Sequence, residues 1–143
     1  MDMQRKASAR WQGTAKEGSG SLSTQSGTLK DTPYSFVARF GDGKGTNPEE
    51  LLGASHAGCF TMALSFMLNN AGFTAEAIDT EAAVTLDQVN GAWTVTAIHL
   101  TTRARVPKID AAKFAEIAGN AKANCPISRV LNATITMDAK MVG

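Results

Sequence analysis

The sequence predicts an α+β domain in which mostly antiparallel sheets pack on two main helices. Alternating apolar and polar residues indicate strands in the first forty residues and again after residue 80. An Asn-Gly pair predicts a hairpin, and two segments that begin with capping residues predict the helices. A length of 143 residues suits one domain that covers residues 1–143.

Three short strands are expected in the first forty residues. Ala7–Gln12 and Ser21–Ser26 are separated by glycines that favour a turn. Tyr34–Phe40 alternates as a third strand, with Arg39 on the face opposite the aromatic rings. The glycine-rich loop at residues 41–45 has a faint likeness to a phosphate-binding loop but lacks the GxxxxGK[ST] spacing, which disfavours a nucleotide site.

The best-marked element is a long helix that ends near Asn70. Asn47 can cap it, Pro48 suits the first helical position, and Glu50 stands where a capping box requires an acid. Gly72 supplies a stop. Because the segment is apolar nearly all round, we expect the buried central helix of the core.

The stretch Leu51–Leu68 is also long enough to raise the question of a membrane span. Its small and polar residues favour a buried helix in a soluble protein instead. Its first half lacks bulk, which would let another helix approach closely, at Gly53, Ala54, Ala57 and Gly58. The polar residues 1–10 lack the apolar core of a secretory signal, so we expect a cytoplasmic protein.

The second half of the chain is expected to supply two strands, a second helix and a closing strand. Asn90-Gly91 is a strong hairpin signal, Asp110 can cap the helix, and Pro126 follows its end. The expected ranges are Thr80–Val89, Trp93–Val106, residues 110–124 and Thr134–Met141. The order of elements is therefore β-β-β-α-β-β-α-β.

Composition excludes several classes of function. The formal net charge is +1 and no stripe of Lys and Arg is present, so neither a nucleic acid nor a membrane is an expected partner. The two cysteines, Cys59 and Cys125, are too few for a disulfide scaffold, and neither belongs to a CxxC pair. A transient bridge or two independent thiols remain.

Cys59 lies in the middle of the long helix, where it can be a plain core residue or a reactive thiol. A reactive thiol has to be held as the thiolate, and the helix dipole fades within the first turn. A cation is therefore needed, and Arg39 is the candidate because it stays charged even when buried. Glu49 is free to orient that arginine. Cys125, at a helix end, suits either a mobile resolving thiol or a lone half-buried cysteine.

His56 precedes Cys59 by three residues, which raises the possibility of a shared metal. Zinc takes about four ligands, and only His99 and Cys125 remain as soft donors. A Cys-His hydrolase would need its base on a separate element. We therefore expect no metal and no cofactor, with His56 a packed or supporting residue.

The segment GTNPEELLGASHAGCFTMAL resembles the OsmC/Ohr family of osmotically induced and organic-hydroperoxide-resistance proteins, and more closely its OsmC branch. The likeness runs from ARWQG through YSFVARF to AKANCPISRVL. It implies an OsmC-like fold, an intertwined homodimer, and reduction of organic hydroperoxides, with hydrogen peroxide a weaker substrate. The implied reductant is a dithiol, with a dihydrolipoyl protein as the example that the family suggests.

The resemblance also implies roles for four residues. Cys59 matches the peroxidatic cysteine, Cys125 the resolving cysteine, Arg39 the catalytic arginine and Glu49 the glutamate of the NPE segment. Ohr-type proteins take the arginine from an earlier part of the chain and usually have Gln where this chain has Glu50. The implied reaction passes through a Cys59 sulfenic acid to a Cys59–Cys125 disulfide.

Helix geometry adds a constraint. Glu49 and Cys59 are ten residues apart, about 15 Å along a helix axis and roughly 80° around it, so they cannot share a small site on one straight helix. We therefore predict that the Arg39–Glu49 pair comes from the partner subunit of an obligate homodimer with composite active sites. The alternatives are a non-catalytic redox-sensing or small-molecule-binding protein of the same fold, and a metal-binding protein.

Overall fold

The computed structural model describes residues 2–143, which form two units. The first unit ends at Leu51 and the second begins at Leu52. The first holds an antiparallel sheet in the order β1-β2-β3, followed by a short helix, α1, and the first turn of the long helix α2. The bounds are β1 Ala7–Gln12, β2 Ser19–Thr24, β3 Thr32–Tyr34, α1 Phe36–Phe40 and α2 Pro48–Asn70.

The predicted third strand, Tyr34–Phe40, is wrong beyond its first residue. Ser35 caps α1, because its side chain accepts a hydrogen bond from the Ala38 N–H at 3.1 Å. The rings of Phe36 and Phe40, four residues apart, lie 4.9 Å from centroid to centroid. These local contacts outweigh the strand-like alternation and place Arg39 in the last turn of a helix.

The beginning of α2 agrees with the prediction. The Asn47 side chain accepts a hydrogen bond from the Glu50 N–H at 2.8 Å, and the helix starts at Pro48. In a capping box the Glu50 carboxylate would accept a hydrogen bond from the Asn47 N–H. Here it accepts one from the Thr46 hydroxyl instead, at 2.8 Å. Glu49 is thereby left to a different partner.

The end of α2 also agrees. Gly72 has a φ of 93°, and the Phe73 N–H donates to the Leu68 carbonyl at 2.8 Å. The Gly72 N–H donates to the Asn69 carbonyl at 3.0 Å. This pair of bonds is a Schellman motif, which stops the helix at a residue with a left-handed backbone.

In the second unit α2 is buried along one stripe only, which consists of Gly53, His56, Phe60, Leu64 and Leu68. On its other side Met62 and Phe66 are each 63% exposed. The expectation of a helix buried all round is therefore wrong for the single chain. By length and composition α2 could cross a membrane, but core helices of soluble proteins pass the same test, and 28% of the relevant window is buried.

The second unit contains a three-stranded sheet in the order β4-β5-β6. The hairpin prediction is confirmed: Asn90 and Gly91 have φ values of 53° and 80°, as a type I′ turn requires. β5 and β6 are parallel, a departure from the antiparallel pattern, because helical segments cross over between them. The bounds are β4 Ala77–Val89, β5 Ala92–Arg105, α3 Ala111–Asn124, α4 Pro126–Val130 and β6 Thr134–Met141.

One core joins α2, α3 and the sheet of the second unit; its largest buried side chains include Phe60, Leu64, Leu68, Ile98, Leu100 and Phe114. Because Gly53 has no side chain, a strand can pack closely against α2 at this point, where a second helix was expected. A Cβ atom there would lie 3.3 Å from the Ala82 carbonyl oxygen and from Val84 Cγ2, both on β4. At Gly58 a Cβ atom would meet nothing within 4 Å.

Two glycine substitutions test where in the helices glycine is required. Gly72→Ala should lower the free energy of unfolding by about 1 kcal/mol, because alanine is strained at a positive φ. Gly119→Ala, inside α3 with no atom within 4 Å of the new Cβ, should raise it by roughly 0.5 to 1 kcal/mol. Urea unfolding at one fixed protein concentration measures both changes. Equal midpoints for the two variants would contradict the account.

Candidate active site

The two free cysteines lie together in the core of the second unit. Cys59, on α2, is half-buried and interacts with the Cys125 side chain. Cys125 is 1% exposed. The structure therefore brings together two thiols that are 66 positions apart in the sequence.

Cys125 is the junction between α3 and α4. Its backbone N–H donates to the Ala121 carbonyl and so ends α3. Its sulfur accepts a hydrogen bond from the Ser128 N–H at 3.4 Å and so caps the beginning of α4. The Ser128 hydroxyl lies 3.1 Å from the same sulfur. The sequence suggested a mobile chain end at this position; the structure shows a buried thiol held by two polar groups of one serine.

The surroundings of Cys59 raise the pKa of its thiol. Burial is the largest cause, hydrogen bonding to the Ile127 backbone opposes it, and the neighbouring Cys125 adds to it. None of these influences is a cation. Within its own unit Cys59 is therefore kept as a thiol, whereas a reactive cysteine has to be a thiolate.

Arg39 and Glu49 form a bidentate ion pair in the first unit. Arg39 Nε donates to Glu49 Oε1 at 2.8 Å and Nη2 donates to Oε2 at 2.9 Å. Hydrogen bonding to Glu49 raises the pKa of Arg39, against a smaller opposite effect of burial. The Arg39 side chain remains 36% exposed, and its Nη1 atom makes no hydrogen bond within residues 2–143. Glu49 thus fixes the position of the guanidinium, which also lies 5.3 Å from the centroid of the Phe40 ring.

His56 is fully buried on the core side of α2. Its Nε2 atom lies 2.7 Å from the Ser128 hydroxyl oxygen, while its Nδ1 atom has no hydrogen-bond partner. Burial lowers the pKa of His56, so the ring is neutral at pH 7. In the part of the chain that the structure describes, no three His, Cys, Asp or Glu side chains cluster as metal ligands would.

Sequence reasoning missed Ser128 and the Ile127 backbone as neighbours of the thiols. The signal was present in the CPIS segment, because a cysteine followed directly by proline and two further residues can cap a helix. In that arrangement the first N–H groups of the helix point back towards the capping sulfur.

A family model described as OsmC-like protein matches residues 41–140. Peroxiredoxin OsmC of Escherichia coli (strain K12) is 51% identical over 141 residues, which cover 99% of this chain and 99% of that protein. The protein of the same name from Shigella flexneri matches equally well.

The solved structures agree in fold. An OsmC-like protein of unknown function from Vibrio cholerae has a TM-score of 0.79 at 14% identity, covering 96% of this chain and 99% of that one. The organic hydroperoxide resistance protein OhrB of Bacillus subtilis has a TM-score of 0.71 at 24% identity, covering 98% of both chains.

These similarities confirm the resemblance seen in the sequence, and the α+β fold with it. The fold is that of a soluble protein family. Because the chain is 51% identical to Peroxiredoxin OsmC of Escherichia coli over nearly its whole length, it is a cysteine-based peroxidase. The chain belongs to the OsmC-like protein family.

Proposed function

We propose that this chain reduces organic hydroperoxides, and hydrogen peroxide more weakly, in the cytoplasm, with Cys59 as the attacking thiol and Cys125 as the resolving thiol. The observation that carries the proposal is the meeting of two free cysteines in one core cluster. The substrate class is supported by the names of relatives, Peroxiredoxin OsmC and organic hydroperoxide resistance protein.

The chemistry proceeds in two steps. The Cys59 thiolate attacks one peroxide oxygen, the O–O bond breaks, and the other oxygen leaves as an alcohol after it takes up a proton. Cys59 is then a sulfenic acid, and Cys125 condenses with it to give a disulfide and one water. An external dithiol reduces the disulfide, and a dihydrolipoyl protein is our candidate for that reductant.

The first step needs a positive charge near Cys59. Burial, and to a smaller extent the neighbouring Cys125, raise the pKa of that thiol, so a cation has to favour the thiolate and the charge that develops on the peroxide oxygens. Arg39 is suited to both tasks because Glu49 fixes two of its nitrogen atoms and leaves Nη1 without a partner in the described chain. In our proposal the Arg39 guanidinium is this cation, and the Glu49 carboxylate holds it in place.

We place that cation on the partner subunit of an obligate homodimer. Glu49 and Cys59 are ten residues apart within α2, about 15 Å by helix rise, which supports a site assembled from two chains. Met62 and Phe66 give α2 an exposed apolar face. That face borders an open groove of about 640 Å³, lined by residues that include Gly58, Met62 and Ile78. A second copy of the chain would bury this apolar surface.

Cysteine substitutions test the roles of the two thiols. Cys59→Ser should abolish the consumption of cumene hydroperoxide in the presence of excess dithiol, because no other thiol replaces the attacking atom. Cys125→Ser should still be oxidised at Cys59 but should form no intramolecular disulfide. Peptide mapping after one equivalent of peroxide distinguishes these products. If wild-type protein stops after one stoichiometric oxidation despite excess dithiol, the redox-sensing alternative is correct instead.

The composite site is tested by mixing variants. Arg39→Gln should lower the peroxidase rate by about 10²- to 10³-fold, the usual loss when a group that stabilises transition-state charge is removed. Dimers of Cys59→Ser alone, or of Arg39→Gln alone, should be inactive or nearly so. After subunit exchange in an equal mixture, a mixed dimer has one site with both Cys59 and Arg39 if each site uses two chains, so about a quarter of all sites should be complete.

The matched control is Arg103→Gln, which removes an exposed arginine from β5. Its rate should match the wild type, and its mixture with Cys59→Ser should show no rise above the sum of the two. A mixture of Arg39→Gln and Cys59→Ser that recovers no activity, although exchange is verified by mass spectrometry, would show that each site lies within one chain.

A further inference from the structure

A buried chain of polar groups leads from α2 to the resolving thiol. His56 Nε2 lies 2.7 Å from Ser128 Oγ, and Ser128 Oγ lies 3.1 Å from Cys125 Sγ. His56 is fully buried, Ser128 is 8% exposed and Cys125 is 1% exposed. A polar chain buried to this degree costs free energy unless its donors and acceptors are matched.

The unpartnered His56 Nδ1 atom fixes the direction of this chain. A neutral imidazole has one N–H, and a buried N–H without an acceptor is the rarer and costlier arrangement. The proton therefore resides on Nε2, which donates to Ser128 Oγ. The Ser128 hydroxyl proton is then free to donate to Cys125 Sγ, the same atom that accepts from the Ser128 N–H at 3.4 Å.

We propose that His56 and Ser128 are positioning residues for the resolving step, which aim a directed chain of hydrogen bonds at Cys125 Sγ as its negative charge develops. The inference rests on the proposed function, since it takes Cys125 as the resolving thiol. Hydrogen bonds to a charged acceptor are stronger than those to a neutral one, so the chain stabilises the attacking sulfur more than the resting thiol.

The step balances without any further reactant. As Cys125 Sγ attacks the sulfur of the Cys59 sulfenic acid, the S–S bond forms and the S–O bond of Cys59 breaks. The thiol proton of Cys125 passes to the departing oxygen, which leaves as water. Cys59 sulfur is reduced from the sulfenic to the disulfide state, and Cys125 sulfur is oxidised. His56 stays neutral throughout, in keeping with the pKa that burial lowers.

We attribute the pH dependence of disulfide formation to this chain of hydrogen bonds, because few other charged groups lie near Cys125. Two titratable groups on α2 are linked to Cys125: Cys59 interacts with it directly, and His56 is connected to it through the Ser128 hydroxyl. The last turn of α3 carries Lys122, which is half-buried, and α4 carries Arg129, which is exposed. The buried core cluster that contains Cys125 consists otherwise of apolar side chains, with members from β5 and α3.

A single-turnover experiment tests the inference. Reduced protein receives one equivalent of cumene hydroperoxide, and samples are acid-quenched, alkylated and mapped for Cys59 and Cys125. Ser128→Ala should leave the loss of the Cys59 thiol at the wild-type rate but slow disulfide formation about tenfold at pH 7. The midpoint of the pH–rate profile for disulfide formation should rise by about one pH unit.

Variants at His56 separate hydrogen-bond donation from packing. His56→Leu removes the donor and should slow disulfide formation in the same way. His56→Gln places an amide N–H near the position of Nε2 and should recover most of the lost rate. The control is Thr102→Val, which removes a buried hydroxyl that bonds to Thr80 and to the Asp79 carbonyl; it should leave the pH midpoint unmoved.

The outcomes are distinct. If Ser128→Ala matches the wild type in rate and pH midpoint, or is slower with an unmoved midpoint, the inference is wrong. If His56→Leu does not fold, as judged by circular dichroism, Ser128→Ala decides alone. A wild-type protein that forms no Cys59–Cys125 disulfide would contradict the proposed function itself, which separates that failure from a failure of this inference.

Discussion

In our proposal the chemistry of this molecule depends on a conflict between burial and charge at Cys59 Sγ. The core of the second unit surrounds the sulfur closely enough to raise its pKa, while the chemistry of a cysteine-based peroxidase requires the thiolate. Hydrogen bonding to the Ile127 backbone works in favour of the charged form, but burial outweighs it. In our proposal a fixed cation resolves this conflict without opening the core, because a guanidinium stays charged in apolar surroundings.

The local structure of the first unit holds the guanidinium that our proposal uses as this cation. The Ser35 cap turns the chain into α1, which carries Arg39 in its last turn. Asn47 caps α2 and also donates a side-chain hydrogen bond to the Ala38 carbonyl, so the two helix ends are tied together. Glu50 bonds to Thr46, which leaves Glu49 to hold the guanidinium with both carboxylate oxygens.

Much of this could be predicted from the sequence where local chemistry is decisive. Asn47, Pro48 and Gly72 mark the ends of α2, and Asn90-Gly91 marks the hairpin, because each signal depends only on neighbouring residues. Prediction failed at α1, where the alternation of Tyr34–Phe40 was outweighed by one capping hydrogen bond at Ser35. The four catalytic candidates came from a family resemblance, since spacing alone leaves Cys59 open to a plain core role.

The remaining gaps arise from long-range packing. The sequence shows that α2 is apolar nearly all round. Which stripe of the helix is buried depends on tertiary packing, so the exposure of Met62 and Phe66 could not be predicted. Likewise, no local pattern reveals that Ser128 would lie against His56, which is 72 positions away in the sequence. The parallel pairing of β5 with β6 follows from the crossover through α3 and α4, a property of topology rather than of periodicity.

The most direct test of the account is the pKa of Cys59 in the assembled protein. It can be measured as the pH dependence of iodoacetamide alkylation in a Cys125→Ser background, where a single thiol remains. The account predicts that the intact protein titrates below the ordinary thiol range and that the added substitution Arg39→Gln returns the Cys59 pKa to above that range. A Cys59 that titrates above the ordinary range with Arg39 in place, and is unmoved by its removal, would contradict the central claim.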